Sequence, residues 1–217
     1  MTQDSNIDSG CHELRSNGHR NRESIQRKNM QKLSRIINLS IANAYTTDFA
    51  YARLLIDIGG GDGSFLQTVL DEETHLQGIL FERPVMIERV RHTALARHPR
   101  ISLKQGDFLS SLPTGGDIYI FKSIIMNCSD DESIRILKNC CNAMQPGGNI
   151  LIIEQVLYPE IDQDTFGRFI NPQIPLTLLR GNRTEREYRQ LFRRAGLFVT
   201  RVIPTSSGYS IVEGKKA

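Results

Sequence analysis

The chain has 217 residues and a mass of 24.6 kDa, a size that suits one large α/β domain better than two domains. Hydrophobic residues make up 39% and charged residues 24%, so the chain can bury a sizeable core and wholesale disorder is excluded. The formal net charge of +3 is too weak to indicate a nucleic acid or an anionic membrane as a partner.

The absence of targeting signals and the pattern of cysteines limit the cellular compartments that can be expected. No apolar run approaches the roughly 20 residues of a membrane helix, and the polar N-terminus lacks the apolar stretch of a secretory signal. The four cysteines form no C-x-x-C pair and give no sign of an oxidising compartment. We therefore expect a cytoplasmic protein.

The first fifty residues change in character near Ile25. Residues 1–25 are polar and are predicted to form a mobile tail. From Ile25 to Ala44, apolar residues recur with gaps of three to five, which predicts an amphipathic helix within a linking segment, residues 26–50. Its side chains at Ile36, Ile37 and Ile41 either form an interface with another chain or pack against the chain's own sheet.

From residue 51 to residue 217, apolar runs alternate with amphipathic stretches, and this part is predicted to form one domain. The predicted strands are Leu54–Ile58, Gln77–Phe81, Ile101–Gln105, Asp117–Phe121, Asn149–Ile153, Phe198–Ile203 and Tyr209–Glu213. The predicted helices are Ser64–Leu70, Pro84–His98, Asp131–Met144 with Asp130 as its cap, and one that begins at a Thr184–Glu187 capping box and ends at Ala195. This order predicts a doubly wound, Rossmann-like α/β fold whose sheet is mostly parallel, with an antiparallel C-terminal strand.

A glycine-rich loop, Asp57-Ile-Gly-Gly-Gly-Asp-Gly-Ser64, joins the first predicted strand to the first predicted helix of this domain. It lacks the Gly-Lys-Ser/Thr ending of a Walker loop, and Ser64 stands where the third glycine of a dinucleotide fingerprint belongs. Asp57 and Asp62 flank the loop; their carboxylates would repel a pyrophosphate and suit a ligand that carries an ammonium group.

Glu82, at the end of the second strand, can accept hydrogen bonds from both hydroxyls of a ribose. Together with the loop, it predicts a nucleoside with a cationic tail that lacks phosphates, and S-adenosylmethionine fits that description. The alternative is an ordinary glycine-rich turn with solvated carboxylates.

Seven motifs in order make the sequence similar to a known family. It resembles the catalytic domain of S-adenosylmethionine-dependent O-methyltransferases of the caffeate and hydroxyindole type, over about residues 28–217. The motifs are Leu55 to Ser64, Gly78 to Glu88, Gln105-Gly-Asp-Phe108, Gly116 to Lys122, Leu137 to Cys140, Gln145-Pro-Gly-Gly148 and Arg183-Thr-Glu-Arg-Glu187.

The resemblance implies a class I methyltransferase sheet and a set of cofactor-binding residues. It places Asp57 and the glycines at the methionine end of S-adenosylmethionine, an acid on the ribose, an acid and an aromatic ring on the adenine, and a lysine nearby. Those residues are, in chain order, Asp57, Gly59, Gly61, Gly63, Glu82, Asp107, Phe108 and Lys122.

The sequence departs from the family where the acceptor is activated. Met126 stands where the family has the histidine that takes the proton of the acceptor hydroxyl. Of the two glutamates that orient this histidine in the family, Glu154 matches one and Asn182 replaces the other. A positioned base contributes about 10²- to 10⁴-fold to such a reaction, so methylation of an ordinary hydroxyl needs a substitute. The candidates are Glu154, Cys128 and Asp130, although Cys128 is more readily interpreted as an apolar filler.

We therefore expect an S-adenosylmethionine-dependent O-methyltransferase that acts on a hydroxyl of a small aromatic or polyketide-like metabolite. The alternative is a cofactor-binding relative with lost or diverted methyl transfer, either hydroxylase- or cyclase-like or a non-catalytic subunit. The expected partners are a small-molecule acceptor and a second copy or another chain at the helix of residues 25–44, since the family's N-terminal dimerisation domain has no counterpart here. No metal, nucleic acid or membrane is expected.

Overall fold

A computed structural model describes residues 29–158 and 181–216 of the chain. The chain divides into two compact units, Met1–Ile37 and Asn38–Ala217. In the first unit the described residues, 29–37, are helical. The second unit begins with helix α1, residues 38–44, and the short helix α2, Thr46–Phe49. The predicted tail and the first residues of the predicted helix lie outside the described residues.

A seven-stranded sheet organises the second unit. Its strands are β1 (Leu54–Ile58), β2 (Gln77–Glu82), β3 (Ile101–Gln105), β4 (Ile118–Lys122), β5 (Asn149–Glu154), β6 (Leu197–Pro204) and β7 (Ser210–Lys216). The order across the sheet is β3-β2-β1-β4-β5-β7-β6. Strands β1 to β5 are parallel, and β7 is antiparallel to both of its neighbours. The predicted fold class is therefore confirmed, and the strand order reverses between β1 and β4, where such sheets bind ligands.

The longer helices of the second unit pack beside this sheet. They are α3 (Ser64–Glu72), α4 (Pro84–Arg91), α5 (Asp130–Ala143) and α6 (Glu185–Arg194), and 3₁₀ turns lie at Ala94–Arg97 and Ile125–Asn127. None of the helices among the described residues combines the length and the apolar character needed to cross a bilayer.

Two helix predictions need correction. The predicted helix Pro84–His98 is wrong beyond Arg91, because Thr93 adopts an extended backbone and its hydroxyl donates to the carbonyl of Val90 at 2.8 Å. The predicted cap Asp130 is the first residue of α5. Ser129 caps this helix in a reciprocal capping box with Glu132. The Thr184–Glu187 capping box of α6 is confirmed.

Side chains alternate along the strands, so one face of the sheet carries the hydrophobic core and the other carries Asp57 and Lys122. Ile56, Ile58 and Phe121 belong to a hydrophobic core shared with α5 and α6. Asp57 and Lys122 alternate with these residues along β1 and β4, so they project from the opposite face. The register Asp57↔Ile120 brings the two polar side chains to neighbouring strands at the carboxyl end of the sheet.

Candidate active site

The glycine loop makes a tight turn at the strand reversal. Gly59, Gly61 and Gly63 have positive φ angles of 66°, 60° and 75°, which favour glycine. A Cβ atom at Gly59 would lie 2.5 Å from Cδ1 of Ile124 and 3.8 Å from Cε1 of Phe108. The loop backbone is therefore packed closely against the segment after β4 and against the predicted adenine-binding ring.

Asp57 is the most unusual polar residue of the site. It is fully buried, and neither carboxylate oxygen has a hydrogen-bond partner in the part of the chain that the structure describes. Burial raises the pKa of this carboxyl to about 7; the charges of Asp62 and Glu82 act in the same direction, and the charge of Lys122 opposes them. Because an unpaired buried carboxylate is costly, this position fits a cationic group of a ligand.

Lys122 lies at the end of β4 between two aromatic rings. Its Nζ is 6.0 Å from the ring centroid of Phe65 and 5.6 Å from that of Tyr209. Burial lowers the pKa of the Lys122 ammonium, and the charges of Asp57 and Asp62 partly restore it. Lys122 is thus a positive charge next to Asp57, where it can receive an anionic group of the same ligand.

The two predicted nucleoside acids lie at the ends of β2 and β3. Glu82 is paired in register with Gln105 and accepts a hydrogen bond from the backbone N–H of Arg83. The carboxylate of Asp107 accepts from the backbone N–H of Leu109 at 2.9 Å. The partly buried ring of Phe108 packs against the core. These side chains sit at the same sheet edge as Asp57, as predicted.

The turn after β4 carries Met126 and holds a strained residue. Ser123 has a positive φ of 57°, which costs a non-glycine residue about 1–3 kcal/mol. Two hydrogen bonds stabilise this conformation: the Ser123 N–H donates to the carbonyl of Ile153 at 3.1 Å, and the Asn127 side-chain amide donates to the carbonyl of Ser123 at 2.9 Å. The turn therefore has a defined geometry before any ligand binds.

Glu154 is buried beneath this turn, and both of its oxygens are engaged. Oε1 accepts from the backbone N–H of Met126 at 2.8 Å, and Oε2 accepts from the Tyr188 hydroxyl. Burial raises the pKa of the Glu154 carboxyl, and the bonds from Tyr188 and Met126 and the charge of Arg183 oppose that rise. Glu154 thus stabilises the turn instead of facing an acceptor.

Arg183 and Tyr188 are site residues that sequence reasoning missed as functional groups. The Arg183 guanidinium donates to the carbonyls of Ile125 at 2.9 Å and Cys128 at 2.8 Å, and to the Asp130 carboxylate at 2.9 Å. An arginine that directly precedes a helix capping box was the available signal. The pairing also occupies Asp130, one of the predicted substitute bases.

Cys128 is poorly suited to act as a base. Burial raises the pKa of its thiol, and the charges of Glu132 and Glu154 raise it further. Its Sγ donates to the carbonyl of Ile124 at 3.4 Å. This environment fits the interpretation of Cys128 as an apolar filler.

Asn182 directly follows a glycine that packs against the backbone of Met126. The preceding residue, Gly181, has a φ of 96°, and a Cβ atom there would collide with the backbone carbonyl of Met126. Asn182 is only 9% exposed; its side-chain nitrogen donates to Oε1 of Gln155 at 3.3 Å, while its buried Oδ1 has no partner among the described residues. A second acceptor without a described donor therefore lies in the segment that packs against Met126.

The sheet order, the glycine loop and an acid at the end of β2 together define a nucleoside-binding α/β domain of the methyltransferase type. The family is established by comparison: residues 10–198 match the sequence model of the O-methyltransferase domain, and the chain belongs to this family. The predicted resemblance is confirmed.

The most similar proteins include two bacterial enzymes of secondary metabolism. A phenazine O-methyltransferase of Lysobacter antibioticus is 35% identical over 178 residues, which cover 81% of this chain and 51% of that protein. A mitomycin biosynthesis 6-O-methyltransferase of Streptomyces lavendulae is 35% identical over 182 residues, 82% of this chain and 50% of that protein. The chain thus spans about half the length of these relatives.

A solved structure shows the same fold. The methyltransferase of calicheamicin biosynthesis, crystallised with S-adenosylhomocysteine bound, superposes with a TM-score of 0.75 at 33% identity. The match covers 93% of this chain and 59% of that one.

Proposed function

We propose that the chain is an S-adenosylmethionine-dependent O-methyltransferase that acts on a hydroxyl of a small aromatic or polyketide-like metabolite. The observation that carries this proposal is Asp57, a buried carboxylate with two unpartnered oxygens behind a glycine turn. The names of the relatives agree with the reaction type. When bound, S-adenosylmethionine supplies an electrophilic methyl group on a sulfonium.

The proposed binding residues would contact three parts of the cofactor: the methionine end, the ribose and the adenine. Asp57 and Lys122 would hold the ammonium and carboxylate of the methionine end, next to the backbone of Gly59, Gly61 and Gly63. Glu82 would accept from the ribose hydroxyls. Asp107 would accept from the exocyclic amine of adenine, and the ring of Phe108 would cover a face of the base.

We propose that the chain's own residues orient the acceptor without removing its proton. Glu154 acts as a positioning residue, because its oxygens hold the Met126 backbone and the Tyr188 hydroxyl. Oδ1 of Asn182 has no donor among the described residues and would accept a hydrogen bond from the acceptor, yet an amide oxygen is too weakly basic to ionise a phenol. The site therefore suits acceptors that ionise readily, such as acidic phenols and enols.

The test is incubation with methyl-labelled S-adenosylmethionine and a panel of phenols with graded acidity. We expect labelled methyl ethers with stoichiometric S-adenosylhomocysteine, formed fastest from the acceptors that are ionised at neutral pH. Turnover of an acceptor without S-adenosylhomocysteine would favour the hydroxylase- or cyclase-like alternative. Absence of cofactor binding would overturn the proposal.

We also propose a second copy or another chain as a macromolecular partner at the predicted helix of residues 25–44. Met30 and Ile36, in the described part of the first unit, are 66% and 64% exposed, which supports an apolar contact there. Ile41, which was also considered for such an interface, is fully buried within the second unit. Sedimentation of the wild type against Ile36→Lys tests this proposal, and identical monomeric mass for both would contradict it.

A cytoplasmic location remains part of the proposal. The three described cysteines, Cys128, Cys140 and Cys141, are free thiols, which fits a reducing compartment. Fractionation of cells that produce the protein would test it.

A further inference from the structure

A buried asparagine on α1 has no role in the site described so far. Asn38 is 1% exposed, and its Oδ1 has no hydrogen-bond partner among residues 29–158 and 181–216. A buried amide oxygen without a donor costs about 1–3 kcal/mol, so such groups in folded proteins usually meet a water or a ligand. The position of Asn38 relative to the sheet shows which ligand could reach it.

The orientation of α1 follows from two contacts at its ends. Tyr45, just after α1, receives a hydrogen bond on its hydroxyl from the side-chain amide of Asn149, the first residue of β5, at 3.1 Å. The Ser40 hydroxyl lies 2.9 Å from that of Ser206, in the turn between β6 and β7. This turn extends past the carboxyl end of β5, because Ser210 pairs with Glu154. Helix α1 therefore runs antiparallel to β5, with its start at the carboxyl-end edge of the sheet.

The side of the sheet is settled by register. Lys122 pairs with Ile153, which pairs with Ile211, so these three residues share a face. Glu213, two residues after Ile211 on β7, shares that face and accepts from the Tyr45 hydroxyl at 2.6 Å. Helix α1 thus lies over the face from which Lys122 and, by alternation, Asp57 project.

Helical periodicity turns Asn38 toward this face. Asn38, Ile41 and Tyr45 are spaced i, i+3 and i+7, and all three are buried. Seven residues of helix rise about 10 Å, the length of about three strand residues. Asn38 therefore lies at about the level of Ile152 and Ile153 of β5, and β5 is the neighbour of β4, whose end carries Lys122. The Tyr209 ring, 5.6 Å from Nζ of Lys122, belongs to the strand connection that contacts Ser40.

We propose that Asn38 is a further cofactor-binding residue, whose Oδ1 accepts a hydrogen bond from the α-ammonium of the methionine end of S-adenosylmethionine. The inference rests on the proposed function. An ammonium carries three N–H donors, so it can engage the Asp57 carboxylate and an uncharged acceptor at once. Asn38 then contributes to recognition of the amino-acid end, while Glu82, Asp107 and Phe108 serve the nucleoside.

The test compares two ligands by calorimetry: S-adenosylhomocysteine and its deamino analogue, which lacks only the α-amino group. For Asn38→Leu, of similar size, we expect affinity for S-adenosylhomocysteine to fall by about tenfold or more, the size of a hydrogen bond to a charged group. Affinity for the deamino analogue should stay within about twofold. Asn38→Asp, which keeps the acceptor, should bind S-adenosylhomocysteine at least as tightly as the wild type. The matched control is Asn43→Leu, at an exposed position of the same helix.

The outcomes separate this inference from the proposed function. Equal losses for both ligands in Asn38→Leu would show a purely structural role and overturn the inference, as would no loss for either ligand. A wild type that binds neither ligand would overturn the proposed function itself. The ratio of the two affinities in Asn38→Leu, set against the same ratio in the wild type, does not depend on the fraction of unfolded protein in either preparation.

Discussion

At the scale of a single residue, Asp57 combines complete burial with the absence of a hydrogen-bond partner among the described residues. Burial raises the pKa of its carboxyl to about 7. Because the folded state binds this proton more tightly than the unfolded chain, the free protein loses stability as the pH rises from about 4 to about 7. A cation bound beside Asp57 would offset that loss.

We expect the affinity for S-adenosylmethionine to rise with pH between 6 and 8, because Asp57 must ionise to bind a cation and ionises near pH 7. Asp57→Asn should weaken binding by about tenfold or more and remove this pH dependence. Calorimetric titration at pH 6, 7 and 8 measures both effects, with Asp71→Asn, at an exposed position of α3, as the control. A wild-type affinity that is flat or falls with rising pH would contradict the assignment.

Met126 and Asn182 stand at the two positions where the family has a histidine base and a supporting glutamate. Restoring the family's pair, Met126→His with Asn182→Glu, should raise the methylation rate of a phenol of pKa near 10 by about 10²-fold at pH 7, because a positioned imidazole removes the proton. Initial rates with a weakly and a strongly acidic phenol measure the effect, which should be smaller for the latter. Met126→Leu is the control, and an equal gain from this variant would show that a base is not what limits the reaction.

At the scale of elements, α5 and α6 frame the turn that carries Met126. Each begins with a reciprocal capping box, Ser129 with Glu132 and Thr184 with Glu187. Arg183, next to the α6 cap, reaches across to Asp130 at the start of α5 and to the turn between β4 and α5. The two helix starts therefore fix the position of the turn between β4 and α5.

We expect Ser129→Ala to lower the free energy of unfolding by about 1 kcal/mol, because the backbone N–H of Glu132 loses Oγ of Ser129 as its acceptor. Urea denaturation measures this change, and Thr184→Ala should give a similar loss at α6. Ser102→Ala, at an exposed position of β3, is the control. A loss at Ser129 no larger than that at Ser102 would contradict the role of the capping box.

At the scale of the whole second unit, one buried carboxylate joins residues far apart in the chain. Glu213 of β7 accepts from the Tyr45 hydroxyl at 2.6 Å, from Nη2 of Arg201 at 2.7 Å and from the Thr200 hydroxyl. Arg201 also pairs with Asp48 at 2.6 Å. Burial alone would raise the pKa of Glu213, but the bonds from Arg201, Thr200 and Tyr45 hold it below its ordinary value. This cluster connects α1 and α2 to the last strands.

We expect Glu213→Gln to lower the free energy of unfolding by about 1.5–3 kcal/mol at pH 7, the range for hydrogen bonds to a charged group. Because the folded state depresses the pKa of Glu213, its contribution is present at neutral pH and is lost as the pH falls through the acidic range. The difference between wild type and variant should therefore shrink on acidification. Urea unfolding at pH 7 and pH 4 tests this, with the exposed Glu72→Gln as the control. A difference that grows toward acid would contradict the sign.

Much of this protein was readable from local sequence. Strand runs such as Leu54–Ile58, the glycine spacing at 59, 61 and 63, and the Thr184–Glu187 cap are short-range signals, because backbone dihedrals and side-chain period are set within a few residues. They predicted the parallel sheet with one antiparallel strand and the edge where the site lies. The prediction of a helix over Pro84–His98 failed after Arg91, because the Thr93 hydroxyl donates to the carbonyl of Val90 and the Thr93 backbone is extended. The spacing of apolar residues does not reveal such a side-chain hydrogen bond.

The tertiary structure alone decided which polar groups have partners. Nothing in the sequence distinguishes Asp57, Asn38 and Asn182 from other polar residues. Their importance comes from buried side-chain oxygens that have no hydrogen-bond donor among the described residues. Glu154 was a predicted catalytic carboxylate, yet a tyrosine 34 positions away and the backbone of Met126 occupy its oxygens. Whether a buried polar group finds a hydrogen-bond partner depends on residues that folding brings together from distant parts of the chain. The spacing of residues along the sequence does not show which of them will meet.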